Sequence, residues 1–473
     1  MLLKFKAQFE IFIKLKKENL KSDIKLLSGW GRTNAEECNL VNPDNINQIK
    51  NLILEARKRS LIPRGLGRCY GDAAQIKGET VIEIPNFNKI SINNKDDYIE
   101  AEGGASLDSI LKFIIPKGYF LPVSPGTRYV TVGGAIAADV HGKNHHVDGS
   151  FGNHIRNLTI LDGNAEIHKL FPESNFQNNE NDFFWATVGG MGLTGLILKA
   201  EFDLLRINTS FIKVDTSRFK NIETLMENMI DCDTKYRYSV AWIDSLDNDF
   251  RGVLTCGNHA ELNDLPEKKL LNPLHYDPKA IASAPIFLPK GILNKFTVKI
   301  FNEAWYRKAA AEKKNEIQTI AQFFYPLDGV TNWNRIYGPH GFIQYQFVVP
   351  DSGSYLIKKT LKKLKDLGAP SFLNVLKRFG PGNSSPMSFP MEGWTLAIDL
   401  PAKIDGLFKV LDEIDSEVIE SGGRIYMAKD SRQNAFYLNK SYQGINKWNK
   451  TRRYFDRREV FYSSMAKRYK FNL

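Results

Sequence analysis

The chain is poor in cysteine, with Cys38, Cys69, Cys232 and Cys256 the four among 473 residues. No two have CxxC spacing, so the pattern supports neither a zinc site nor a disulfide framework, and reduced thiols in a cytoplasmic protein are the expectation. Long apolar runs are also missing. Nothing approaches the ~20 residues of a membrane span. In the opening MLLKFKAQFEIFIKLKK, lysine interrupts the apolar residues too often for a signal-peptide core. There are no internal repeats and no low-complexity tracts, which excludes solenoids and arrays. No glycine-rich loop ends in Gly-Lys-Ser/Thr, which removes the P-loop nucleotide hydrolases.

Hydrophobic residues make up 42% and charged residues 25%, an ordinary globular balance. The length suits two or three lobes. Lys plus Arg exceeds Asp plus Glu by 64 to 53, a net charge of +11. The two ends hold that whole excess. Residues 1–26 carry seven lysines against three acids, and residues 447–473 carry nine basic residues against Asp456 and Glu459. Such an excess points to an anionic partner, either a phosphate-bearing ligand or a membrane surface. Nucleic acid is set aside, because no recognition fold or aromatic-basic motif accompanies the charge. Residues 1–26 read as one basic amphipathic helix with Phe5, Phe9, Phe12, Ile13 and Leu20 at helical spacing. Packing on the body or peripheral contact with an anionic membrane are its two uses.

The rest of the pattern is α+β. Pro43-Asp44 opens a helix with Ile46, Ile49, Leu52, Ile53 and Ala56 on one face, and Ser106 caps another. Strands are expected at 62–63, 80–84, 89–92 and 98–101. Near Arg206 the character changes. Helices over 309–323 and 356–367 then mix with strands over 341–349 and 394–399, which suggests a second, substrate-facing domain. A strand-like GGRIYMAK over 422–429 and a basic helical tail close the chain.

Glycine is concentrated in four segments: Arg64–Gly71, Pro125-Gly126-Thr127, Gly133-Gly134-Ala135 and Gly189–Gly195. Glycine lets backbone N–H groups approach a phosphate closely. Several such loops imply an extended, phosphate-bearing ligand. Gly190, Gly192 and Gly195 form a G-x-G-x-x-G, but a strand-like LILKAEFDLL follows where a Rossmann site needs a helix. His141, His145, His146 and His154 invite a metal reading, yet their spacing matches no zinc pattern. No metal is expected.

Nine motifs then run in order from residue 28 to the C-terminus: SGWGRT, RGLGRCYGDAAQ, PGTRYVTVGGAIAADVHGKNHH, GSFGNH, FWATVGGMGLTG, WNRIYGP, GFIQYQF, FGPGNSSPMSFPMEGW and GGRIYMAKDSR. On them the chain resembles the vanillyl-alcohol oxidase/p-cresol methylhydroxylase superfamily of FAD enzymes. Within it, the chain is similar to the branch that forms the flavoprotein half of a two-enzyme epimerase. The resemblance implies an α+β fold with a two-lobed FAD-binding domain and an α+β substrate (cap) domain. The expected division is 1–27 as the basic helix, 28–205 as the FAD-binding domain, 206–415 as the cap, and 416–473 returning to the FAD domain.

It also implies roles. Arg64, Gly65, Leu66, Gly67, Arg68, Cys69 and Tyr70 would meet the cofactor diphosphate. Pro125, Gly126, Thr127, Gly133, Gly134, Ala135, His141, Gly142 and Asn144 would lie along the flavin, with Ile197 and Tyr426. Arg68 stands where many relatives attach FAD covalently through histidine, so noncovalent FAD is implied. Lys429 would act at the reacting centre, with Tyr426 and His141. Lys143 and Lys377 would face a substrate phosphate. Gln344 and Gln346, two apart on a strand and so on one face, would enter the pocket with Trp242, Phe379 and Thr395. Ala397 stands where the family often has a cysteine, and Thr395 replaces an asparagine, so the pocket is not identical to its relatives'.

The implied reaction is oxidation of a ring hydroxyl, C2 of a polyprenyl-phosphoryl pentose such as decaprenylphosphoryl-β-D-ribose, to a keto sugar. A separate NAD(P)H-dependent reductase would complete the epimerisation. The implied location is cytoplasmic, with peripheral contact at the inner face of the membrane. The alternatives are a soluble sugar, alditol or aldonolactone oxidase, and a non-catalytic flavin-binding or membrane-scaffold protein.

Overall fold

The computed structural model describes residues 20–173, 180–285 and 293–471. Residues 1–19, most of the expected N-terminal helix, lie outside that range. The remainder of that segment is not helical. Lys21–Leu27 is a strand (β1) paired antiparallel along its whole length with Glu36–Asn42 (β2). Ladder pairing with β2 satisfies the backbone polar groups here and overrides the helical spacing of the apolar residues.

The first lobe is built on two main sheets. Helix α1 (Ile46–Glu55) starts at Asn45, whose side chain accepts from the Gln48 amide at 3.0 Å, and it buries Ile49, Leu52 and Ile53. It leads to β3 (Leu61–Pro63) and β4 (Thr80–Ile82), giving the order β1-β2-β4-β3. The glycine loop 64–71 leaves the end of β3. The second sheet holds β5 (Ile90–Asn93), β6 (Tyr98–Glu102), β7 (Ile155–Leu161), β8 (Ile167–Leu170) and β9 (Leu196–Asp203), ordered β5-β6-β9-β7-β8. Between β6 and β7 lie α2 (Leu107–Ile114), capped by Ser106, and α3 (Val132–Ala137), capped by Thr131. A strand follows Gly195 directly, as the failed Rossmann pattern predicts.

The second lobe is one antiparallel sheet of eight strands. They are β10 (Phe211–Phe219), β11 (Tyr238–Ile243), β12 (Gly252–His259), β13 (Glu312–Thr319), β14 (Phe342–Val349), β15 (Asn374–Phe379), β16 (Gly393–Pro401) and β17 (Arg424–Ile425), ordered β13-β10-β12-β11-β15-β16-β14-β17. Three helices, α4 (Ile222–Asp233), α6 (Tyr355–Asp366) and α7 (Leu407–Glu420), cover its back. Leu225, Leu361 and Leu411 pack there on Ile343, Phe347, Leu376 and Leu396. Each fully buried Leu or Ile contributes about 1.5–3 kcal/mol, so the back face fixes the sheet and frees the front for a ligand.

Two expectations fail in this lobe. The helix expected over 309–323 is a strand from Glu312 to Thr319, preceded by helix α5 (Lys295–Lys308). Its Ala, Lys and Glu favour helix by propensity, but pairing with β10 prevails, and Asn315 (φ 57°) absorbs a break in register. The reduced-thiol reading fails for one pair, because Cys232 of α4 is disulfide-bonded to Cys256 of β12. Their Cα atoms lie 6.5 Å apart at a sequence separation of 24, a proximity made by α4 packing on β12, which no spacing rule reports. Cys38 and Cys69 are free.

After β17 the chain rejoins the first lobe. Trp448, in helix α8 (Ile445–Phe455), donates to the Ala186 carbonyl at 2.9 Å, and the Tyr462 amide donates to Leu61 at 2.8 Å. Among the described residues no helix is long and apolar enough to cross a membrane.

Candidate active site

Between the lobes lies a cavity of about 1290 Å³. Its first wall is backbone. A Cβ at Gly65 would stand 2.3 Å from Thr131 Oγ1, at Gly103 2.1 Å from the Ile197 carbonyl and at Gly104 2.1 Å from the Ile84 carbonyl. No side chain fits at these approaches. At Gly126 a Cβ would meet nothing within 4 Å, so this loop faces open cavity. Asp328, from the second lobe, pins the loop. It accepts from Thr127 Oγ1 at 2.7 Å and from the Arg128 amide at 2.9 Å. The Arg68 guanidinium lies 3.8 Å over Trp30, and burial lowers its pKa while Asp328 opposes the shift. Arg68 Nε and His141 Nδ1 are buried without a protein partner. A glycine floor facing open space, with unsatisfied donors beside it, fits the diphosphate and ring of a flavin dinucleotide.

The second wall is side chains, all from the front of the eight-stranded sheet. Alternation puts Gln344 and Gln346, Val375 and Lys377, and Val240 and Trp242 on this one face. The registers line them into a row. Gln346 opposes Ala397, Ala397 opposes Val375, Val375 opposes Trp242, Trp242 opposes Val253 and Val253 opposes Arg218. Six adjacent strands give five spacings, about 24 Å at ~4.8 Å each. The row is polar at Gln346, apolar through four residues, and cationic at Arg218.

The walls meet around Tyr426–Lys429, which follow β17. Tyr426 OH donates to the Ala138 carbonyl at 2.8 Å, and its ring stacks on Phe389 at 4.4 Å. Lys429 Nζ sits 4.2 Å over the Tyr70 ring. Gln344 Nε2 donates to Tyr70 OH at 3.1 Å and to buried Asp399 Oδ1 at 2.6 Å. Gln346 Nε2 lies 3.1 Å from His141 Nε2 and 3.2 Å from Thr395 Oγ1. Lys143 bonds the Phe323 carbonyl.

Three lysines therefore converge, and none forms an ion pair among the described residues. Burial lowers Lys143 to about 7 and Lys377 and Lys429 to about 8, with Lys377 pressing on Lys143 and Lys429 on Lys377. Burial raises Asp399 to about 7 and holds His141 well below its usual range, hence neutral. Unpaired cations around one void attract an anion.

The cavity brings together most of the residues singled out in the sequence: Arg64 through Tyr70, Pro125 through Thr127, Gly133, Gly134, His141, Lys143, Ile197, Trp242, Gln344, Gln346, Lys377, Thr395, Tyr426 and Lys429. Four stand behind its wall. Ala135 is buried in α3. Gly142 packs against Asn144, and Asn144 donates to the Pro122 carbonyl at 2.7 Å. Phe379 supports the His141 ring at 4.7 Å. The other histidines disperse: His145 packs on Phe379, His146 bonds the Tyr236 carbonyl and His154 the Asp148 carbonyl.

Sequence reasoning missed Gly103-Gly104, although a double glycine ending a strand was a readable signal. It missed Asp328, Asp399, Arg218, Phe301 and Trp305, which carry no local motif and reach the site or its immediate support through tertiary packing.

Comparison with known proteins agrees with this geometry. Residues 39–170 match the FAD binding domain family. The decaprenylphosphoryl-β-D-ribose oxidase of Mycolicibacterium smegmatis is 41% identical over 452 residues, 94% of this chain and 97% of that protein. An uncharacterized protein in the mprA 5′ region of Streptomyces coelicolor is 31% identical over 77% of this chain and 99% of its own length. Berberine bridge enzyme-like 16 of Arabidopsis thaliana is 28% identical over 35% of this chain. At 41% identity over nearly the full length of both chains, and with a glycine-built trench facing a cation-lined chamber, the chain belongs to the decaprenylphosphoryl-β-D-ribose oxidase family and is an FAD-dependent oxidase.

Proposed function

We propose that the enzyme oxidises the C2 hydroxyl of a polyprenyl-phosphoryl pentose to a ketone, and that a separate NAD(P)H-dependent reductase completes the epimerisation. The observation that carries this reading is the change of surface along the chamber: polar at Gln344 and Gln346, with Lys377 opposite Thr395 and Lys143 of the first lobe lining the same chamber, then apolar along Ala397, Val375, Trp242 and Val253 as far as Arg218. A sugar phosphate would meet the amides and lysines, and a prenyl chain would meet the apolar stretch. A free sugar would leave the apolar stretch without a partner.

FAD, held noncovalently, supplies the hydride acceptor. The glutamine pair orients the ring hydroxyls, and Lys377 and Lys143 hold the phosphate. In oxidation the C2 hydrogen leaves with its electron pair and the hydroxyl proton leaves separately. Lys429, an amine brought to about 8 by burial, takes that proton. Tyr426 and His141 position the reacting centre, Tyr426 through Ala138 and His141 through Gln346. The division of the chain into an FAD-binding part, a cap and a returning C-terminal segment is part of the same proposal.

The test is isotopic. Substrate deuterated at C2 should reduce the flavin several-fold more slowly than unlabelled substrate and yield a 2-keto product by mass spectrometry. An equal rate with product oxidised elsewhere would sink the assignment.

A further inference from the structure

Helix α5 presents an apolar face to solvent. Phe296 is 72% exposed, Ile300 54%, Phe301 45% and Trp305 41%. At 100° per residue, Trp305, Phe301, Thr297, Ala304, Ile300 and Phe296 share one side of the helix, with Arg307 and Lys308 projecting from the same side at its C-terminal end. Val298 and Asn302, on the other side, are buried against the body. Large exposed apolar patches on a folded protein mark contact surfaces.

Two further observations say what covers it. The first is charge. The helix carries Lys295, Lys299, Arg307 and Lys308 against Glu303 alone, and all four cations are exposed. Glu303 is already engaged by Arg251 and Arg307. The second is continuity. Phe301 and Trp305 stack on each other at 6.1 Å, Phe301 meets Phe372 at 5.5 Å, and all three line the cavity beside Trp242. Arg307, Lys308, Arg218 and Lys313 line the same cavity, and Arg218 donates to the Tyr306 carbonyl of the helix at 3.5 Å. The apolar track inside the cavity and the apolar face outside it are thus one surface, rimmed with cations.

We propose that α5 docks the enzyme on an anionic bilayer, with Phe296 and Ile300 entering the interface, the lysines on headgroups, and the cavity mouth opening to the membrane. Basic helices with such a face lie in the headgroup plane. The proposal rests on the lipid-linked substrate assigned above, which a membrane-facing mouth would receive without drawing its tail through water.

FAD-loaded full-length enzyme is floated with vesicles of phosphatidylcholine, with and without phosphatidylglycerol. It should float with the anionic vesicles and be released by salt. The double variant Phe296→Ser, Ile300→Ser should partition at least ~10-fold less. Both residues lie outside the chamber, so flavin reduction by a short-chain, water-soluble substrate analogue should be unchanged. Failure of that analogue to reduce wild-type flavin would remove the substrate reading and leave the docking result standing. A fluorophore on Ile300→Cys should shift to the blue on anionic vesicles, which reads the helix itself even if a variant folds poorly. Equal flotation of variant and wild type, or an unshifted label, overturns the proposal. So does a wild type that stays off vesicles but forms a dimer that the double variant loses, since the face would then bind protein.

Discussion

The two walls of the cavity are built in opposite ways. The trench of the first lobe works by absence: a side chain would collide with Thr131 at Gly65 and with backbone carbonyls at Gly103 and Gly104. The face of the second lobe works by presence: alternate residues of an eight-stranded sheet extend amides, lysines and apolar groups into the void. The first suits a ligand that is the same in every turnover, gripped through invariant backbone donors. The second is built from separate side chains, Thr395 and Ala397 among them, each of which can be exchanged on its own. It follows that the trench should break when atoms are added and the face when they are removed.

The largest effect is expected where the walls meet. Lys429→Ala should leave a yellow, folded protein whose flavin reduction in stopped flow falls by ~100-fold or more. A twofold change would mean the reacting centre lies elsewhere. On the trench, Gly65→Val forces a branched side chain toward Thr131. FAD affinity should drop ~10–100-fold, seen as loss of bound flavin on gel filtration. Retention of full colour would show that this wall yields.

On the face, Lys377→Met should raise KM for the phosphorylated substrate ~10-fold while kcat changes less. Here pH gives a second reading. In the proposed function Lys143 and Lys377 would bind the phosphate as cations, and burial lowers them to about 7 and about 8. Wild-type KM should therefore rise as pH climbs through that interval, and part of the slope should vanish in Lys377→Met. Over the same interval kcat should rise, because Lys429 accepts a proton only when neutral. The smallest effect is expected at Trp242→Ala, with KM raised several-fold for long prenyl chains and unchanged for short ones, measured across a chain-length series.

The contrast also explains what could be read from sequence. The trench was legible because glycine loops are local: Arg64–Tyr70 and Pro125–Thr127 each announce themselves within a few residues. Gln344 and Gln346 were legible because strand alternation is local too. Asp328 was not, since it reaches Thr127 across 201 positions through the packing of two lobes. Nor was the row from Gln346 to Arg218, which exists only once five registers are set. Glu312–Thr319 misled because its propensity favours helix and its partner strand lies a hundred residues earlier. The Cys232–Cys256 bond was hidden because the packing of α4 on β12 brings the two together, and no local spacing reports it.

The most direct test of the central claim, one flavin trench facing a chamber made for a lipid-phosphate sugar, is an anaerobic titration of purified yellow enzyme followed by flavin absorbance. Polyprenyl-phosphoryl ribose should bleach the flavin at near-stoichiometric concentrations, and free ribose should leave it oxidised. Bleaching by free ribose at the same concentrations, or none by the lipid-linked sugar, would contradict the account.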